Sequence, residues 1–207
     1  MIFSSSYIEE AVKEFSHLPG IGKKTALRLV LHLLKQDVNK VAHFSDTISK
    51  MRNNIQYCKT CFNVSDNDIC NICSNPFRQK NTVCVVENIR DVMAIEATQQ
   101  YNGVYHILGE LISPLDGIGP EKLTIDALLE RLKSEAIDEL IMALNPTIEG
   151  DTTVFYISKK IPSHIKITTL SRGISFGGEL EYADELTLAK SLFNRIPINS
   201  FDDSLNE

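Results

Sequence analysis

The chain has 207 residues, 43% hydrophobic and 23% charged, which suits a globular protein of one or two domains with a core of its own. No apolar run approaches the roughly 20 residues that span a bilayer, and residues 1–7 lack the basic and apolar regions of a secretion signal, so membrane insertion and export are not expected and a cytoplasmic location is. The net charge of −6 argues against nucleic acid only as a single number: residues 1–57 carry 8 Lys and Arg against 5 Asp and Glu, residues 58–80 carry 3 against 2, and residues 81–207 carry 10 against 20.

The basic part comes first, and a polyanion responds to local potential. Ile8, Val12, Phe15 and Leu18 recur at helical spacing. In Leu18-Pro19-Gly20-Ile21-Gly22-Lys23-Lys24-Thr25-Ala26, the proline and two glycines stop that helix and allow a tight reversal. A second helix is predicted from about Lys23 to Lys35. Leu27, Val30, Leu31 and Leu34 are its apolar stripe, widened by Ala26, Leu29 and Leu33. Lys24, Arg28, His32 and Lys35 stand at i, i+4, i+8 and i+11 and make one basic face. A third helix is predicted with Val38, Val41, Ile48, Met51 and Ile55 on its core side.

Helix, Gly-x-Gly turn, helix is the helix-hairpin-helix pattern. A hairpin without side chains lets backbone amides approach a phosphate, and the next helix adds uncapped N–H groups and partial positive charge. Gly20, Gly22, Lys23, Lys24 and Arg28 are therefore the candidate DNA-binding residues, contacting phosphates without reading sequence. The plainer alternative is a hairpin that only packs helices beneath a solvated basic face. A P-loop is excluded, because it needs four residues between its Gly and Gly-Lys. A dinucleotide fingerprint is excluded too, because Thr25 stands where its third glycine belongs and no strand precedes.

Cys58-Lys59-Thr60-Cys61 and Cys70-Asn71-Ile72-Cys73 stand eight residues apart. Two C-x-x-C pairs this close predict one structural Zn²⁺ on Cys58, Cys61, Cys70 and Cys73, since each pair turns both sulfurs toward one ion. Four thiolates leave no open position for water or substrate. Disulfides are the alternative, disfavoured in a reducing compartment. Cys84, within Val83-Cys84-Val85-Val86, reads as a core residue.

From residue 81 the pattern alternates. Strands are predicted at Val83–Val86, Val104–Leu108, Leu140–Leu144 and Ile165–Thr169, and helices at Asp91–Ala97, about Thr124–Ser134 and near Thr153–Lys160. Such alternation implies a mostly parallel sheet covered on both faces, with ligands beyond the carboxyl ends of its strands. Glu87, Gly109, Asn145, Thr147, Glu149 and Arg172 follow strands and are expected to share that edge. Acids there hold Mg²⁺ for phosphoryl chemistry in one reading, and cap helices and turns in the other. A glycine-broken connection, Gly173 to Tyr182, leads to a last helix at about Asp184–Phe193, and the acidic tail Asn199–Glu207 is expected to fray.

The three parts in this order resemble the RecR family of bacterial recombination mediators. The resemblance runs from about Leu18 to Leu192. It is carried by the Leu18–Gly22 hairpin with Lys24 and Arg28, by Cys70-Asn71-Ile72-Cys73-Ser74-Asn75-Pro76, by Ser113-Pro114-Leu115-Asp116-Gly117-Ile118-Gly119-Pro120, and by Asn145-Pro146-Thr147-Ile148-Glu149-Gly150. It implies an α+β multidomain chain: a helical DNA-binding domain over 1–57, a C4-type zinc finger over 58–73, a Toprim domain over 81–176, and a C-terminal helix and tail over 177–207. Catalytic Toprim proteins carry a Glu after the first strand, which Glu87 matches, and an Asp-x-Asp pair where this chain has Asn145-Pro146-Thr147. An amide and a hydroxyl do not replace two carboxylates around Mg²⁺, so the resemblance implies DNA binding without cleavage. The rival is a Mg²⁺-dependent Toprim nuclease or related enzyme. A third reading is a scaffold with no DNA contact of its own. The family's partners are RecO and, in some bacteria, RecF, with which it helps load recombinase on single-stranded DNA, and its members form dimers and rings. Glu87, Glu149 and Asp151 are the candidate partner-binding acids.

Overall fold

The computed structural model describes residues 5–174 and 177–195. The chain divides into two compact units, Met1–Ile55 and Gln56–Glu207.

In the first unit, α1 (Ser6–Ser16) and α2 (Lys23–Leu34) pack through Val12, Ala26 and Val30, with Ile8, Phe15, Ile21 and Leu27 around them. The reversal between them needs Gly20 in the left-handed region at φ +77°, which glycine adopts without steric cost, and the Ile21 N–H donates to the Leu18 carbonyl at 3.0 Å. The buried line on α2 is Ala26–Val30. Leu31 and Leu34, expected in the stripe, are 40% and 67% exposed. The small Ala26 lets the backbones approach and so sets the contact line, leaving the larger leucines to either side.

The helix α3 (Val38–Asn54) starts at Asp37, whose carboxylate accepts from the Asn39 N–H at 2.8 Å. It is helical as predicted, but its apolar side is not core: no residue of α3 is buried, and Val38 and Met51 are 80% and 52% exposed. Val41, Phe44, Ile48, Met51 and Ile55 recur at alternating spacings of three and four, the seam of a helix that packs on another helix. Within the unit no helix covers it. Periodicity states which side needs cover, not what supplies it.

The second unit opens with a short antiparallel ribbon, β1 (Gln56–Tyr57) on β2 (Val64–Ser65), and a single turn, α4 (Asn71–Ser74). The elements β3 (Gln79–Val86), α5 (Ile89–Ala97), β4 (Gly103–Ile107), α6 (Ile125–Ser134), β5 (Glu139–Met142), α7 (Ile148–Ser158), β6 (Lys166–Thr169) and α8 (Glu185–Phe193) follow. The sheet is wholly parallel, in the order β4-β3-β5-β6. Successive residues of β3 serve opposite faces, as the pleat requires. Val83 and Val85 pack with Leu128 of α6 and Ile157 of α7, while Cys84 and Val86 pack with Val92 of α5.

Two connections differ from expectation. The helix α7 begins at Ile148, not near Thr153, because the Thr147 hydroxyl caps it by accepting from the Gly150 N–H at 3.1 Å. Gly150, which reads as a turn residue, is inside the helix. The segment after β4 is also more ordered than an open loop: Ser113 and Ile118 exchange N–H···O bonds of 3.0 and 2.9 Å, with Gly117 at φ +65° between them. The tail Asn199–Glu207 lies outside the described residues. No helix among the described residues is long and apolar enough to cross a membrane.

Candidate functional site

The four predicted ligands converge. Cys58, Cys61, Cys70 and Cys73 are buried, with their sulfurs all within 4.8 Å of one another and Cys61 Sγ 3.5 Å from Cys70 Sγ. Sulfurs about 2.3 Å from a tetrahedral zinc lie roughly 3.8 Å apart, so this set fits the ion. The local chain explains the convergence. The Cys58 N–H donates to the Asn63 carbonyl (2.7 Å) and the Phe62 N–H to the Cys58 carbonyl (2.9 Å), a turn tight enough to hold Phe62 at φ +63°. Backbone N–H groups of Cys70 and Cys73 point at Cys58 Sγ (3.3 Å) and Cys70 Sγ (3.5 Å), where they stabilise thiolate. A hydrogen bond from Cys61 holds the Cys70 thiol far below its ordinary range, and the same bond raises Cys61. A bound Zn²⁺ draws all four sulfurs to the thiolate form. Cys84 belongs to the sheet core, and burial pushes its thiol up to about 12, so it is inert.

The finger is joined to the sheet by contacts that no local pattern announces. The Ile107 N–H of β4 donates to the Cys61 carbonyl at 2.9 Å. Phe62 meets His106 edge-on, ring centroids 5.4 Å apart. Ile72 packs against both faces of the sheet core. His106 is fully buried, its Nε2 3.0 Å from the Thr124 hydroxyl, and burial lowers its pKa to about 4, keeping the ring neutral at neutral pH. Just after the finger, the Arg78 guanidinium pairs with Glu96 and donates to the carbonyls of Tyr101 and Gly103, both at 3.2 Å. The Tyr105 hydroxyl donates to the same Glu96 at 2.7 Å. Arg78 stands first among the causes that hold the Glu96 carboxyl below its usual range. Arg78, Glu96 and His106 escaped the sequence reading because their partners lie 18 residues away.

At the carboxyl edge of the sheet the predicted acids separate. Glu87 follows β3 and accepts from the Asn145 side-chain amide at 3.1 Å. The amide that replaces a carboxylate thus neutralises part of the remaining one. Glu149 and Asp151 stand in the first turn of α7, where the helix dipole favours acids. Asp151 is bound by Arg172 through two hydrogen bonds of 3.2 and 2.5 Å, and that guanidinium lowers its pKa. Among the described residues, the only His, Cys, Asp and Glu side chains grouped closely enough to hold a metal are the four cysteines.

The hairpin keeps its predicted parts together within the first unit. Gly22 is the N-cap of α2, no side chain caps the helix, and no acid stands in its first turn. Lys23, Lys24 and Arg28 are exposed on it, and none of them is in an ion pair among the described residues. Lys24, Leu27, Arg28, Leu31, His32 and Lys35 line one shallow groove of about 460 Å³ along the helix.

Comparison with known proteins agrees with this arrangement. The helix-hairpin-helix model of RecR matches residues 8–52, its four-cysteine zinc-finger model residues 55–75, a Toprim-domain model residues 81–171, and the RecR C-terminal model residues 173–196. The "Recombination protein RecR" of Phocaeicola vulgatus is 55% identical over 194 residues, 93% of this chain and 95% of the relative. The protein of that name from Bacteroides thetaiotaomicron is 56% identical over 194 residues, with the same coverage. That from Porphyromonas gingivalis is 51% identical over 204 residues, 98% of this chain and 97% of the relative. A basic hairpin, a four-cysteine zinc centre and a parallel sheet whose acidic edge has lost its carboxylate pair thus stand in the order that these relatives share, and the chain belongs to the RecR family.

Proposed function

We propose that the protein is a DNA-binding mediator of recombinational repair that contacts phosphates through its helix-hairpin-helix and does not cleave the strand. The observation that carries the DNA reading is Gly22. Its φ is −80°, open to any residue, and a Cβ built there meets nothing within 4 Å. The fold does not need a glycine at this position, whereas a phosphate approaching the uncapped helix end does. Gly22→Ala should therefore leave stability unchanged and weaken DNA binding. Lys24→Ala/Arg28→Ala should lose roughly 10- to 100-fold in affinity at low salt and flatten the salt dependence by about two ions. Unaltered affinity in both folded variants, read by fluorescence anisotropy at two salt concentrations, leaves the hairpin a packing device only.

The non-enzymatic reading rests on Asn145 and Thr147, which stand where the catalytic pair belongs, with Asn145 donating to Glu87. Labelled DNA incubated with Mg²⁺ or Mn²⁺ should stay intact, and cleavage abolished by Glu87→Ala would overturn this reading. The partner is RecO, with RecF in some settings, docked on the acidic sheet edge at Glu87, Glu149 and Asp151, while four-cysteine zinc holds the finger. A Glu149→Ala/Asp151→Ala variant that captures RecO as well as the unaltered protein does assigns the docking elsewhere. The working form is a cytoplasmic homo-oligomer, a dimer or tetrameric ring, in which repeated weak phosphate contacts add up along a strand. The uncovered seam of α3 suits a second copy, and a single-chain mass by light scattering at working concentrations excludes it.

A further inference from the structure

The groove along α2 has more chemistry than phosphate contacts use. Leu27 and Leu31 lie between the cationic side chains of Lys24, Arg28 and Lys35, with His32 beside them, and no carboxylate lines it. Phosphates satisfy the cations but leave the leucines facing charged oxygens, which neither partner gains from. A segment that carries acids and large apolar side chains together would use both. This chain has one. Residues 196–207 read Ile-Pro-Ile-Asn-Ser-Phe-Asp-Asp-Ser-Leu-Asn-Glu, with three acids and no Lys or Arg. Phe201 and Leu205 stand four residues apart, as Leu27 and Leu31 do, and Asp202 and Asp203 fall between them. Three cations on the groove meet three acids on the segment.

We propose that the α2 groove is a docking surface for an acidic segment with apolar anchors, that its occupant is residues 196–207 of this chain, and that the segment competes there with DNA. The competition rests on the reading of α2 as the DNA-contacting face; the docking does not. A tethered segment acts at an effective concentration on the order of 1 mM, so an intrinsic Kd of about 0.1 mM suffices to weaken DNA binding about tenfold.

Two measurements test this. Phe201→Ala/Leu205→Ala in the full chain keeps every charge, so simple repulsion of DNA by the tail is unchanged, yet affinity for single-stranded DNA at low salt should rise about tenfold. A fluorescein-labelled synthetic peptide of residues 196–207 should bind this variant with a Kd of about 0.1 mM in the absence of DNA. Adding Leu31→Ala and Lys35→Ala, both at exposed positions, should abolish that binding. A peptide that does not bind at millimolar concentration, or binds equally with and without the two groove substitutions, overturns the docking, whatever DNA does. Peptide binding that depends on the groove, alongside unchanged DNA affinity in Lys24→Ala/Arg28→Ala, would leave the docking standing and remove the DNA reading instead.

Discussion

Cys70→Ser should release zinc, unfold the finger and lower the melting temperature of the second unit by roughly ten degrees or more. A structural zinc site contributes about 10–16 kcal/mol of apparent binding free energy to folding, as much as the whole stability of a typical domain, about 5–15 kcal/mol. Cys70 is the worst ligand to lose, because its sulfur also accepts from the Cys73 N–H and lies 3.5 Å from Cys61 Sγ, and its own N–H donates to Cys58 Sγ. The damage is expected to spread. Cys61 anchors the end of β4 through Ile107, Phe62 covers His106, and Ile72 packs on the sheet core from the finger side. Zinc content by metal analysis and thermal unfolding followed by circular dichroism read both effects. A variant that loses zinc yet melts where the unaltered protein does would show the finger to be an appendage rather than part of the folded unit. Any DNA defect should be secondary, because the hairpin belongs to the first unit.

Gly150→Ala should be nearly as harmful, although it adds a single methyl group to a helix. A Cβ at Gly150 would stand 1.9 Å from the Asn145 carbonyl oxygen, a backbone atom with little freedom to move. That carbonyl already accepts from the Thr147 N–H at 2.8 Å, and Thr147 caps α7. The methyl must therefore displace the turn, and with it the Asn145 amide that donates to Glu87. Overpacking of this kind costs about 3 kcal/mol, which in a unit of this size corresponds to a fall of roughly 10 °C in Tm. Gly173→Ala is the matched control: its nearest side-chain atom would be Ser191 Oγ at 3.7 Å, an ordinary contact. Should Gly150→Ala melt with Gly173→Ala, the close approach at Asn145 is relieved more easily than the geometry implies. The glycine is legible in the sequence as a turn residue, but its true reason, helix packing against a carbonyl five residues back, is not.

Much of this protein could be read along the chain. Two C-x-x-C pairs identify a tetrathiolate site because ligand geometry is set within a few residues of each sulfur. The parallel sheet follows from strands and helices in alternation, and the hairpin from glycines flanked by helical repeats and lysines. Asn145 and Thr147, in place of two carboxylates, already argue against metal chemistry. All of these are local: residue type and spacing over a dozen positions determine them.

What only the tertiary structure decided is which distant groups meet. The apolar stripe of α3 reads as core, yet it is uncovered, and on α2 the contact line runs through Ala26 and not through Leu31 and Leu34. Arg78 reads as one more surface cation and instead ties the exit of the finger to α5 and β4. Glu87 and Asn145, 58 residues apart, become one hydrogen-bonded pair. Periodicity records that a side chain needs burial or a partner, because it reflects the helix or strand it sits in. The identity of that partner depends on how the elements stack, a global outcome of packing that no short stretch of sequence contains.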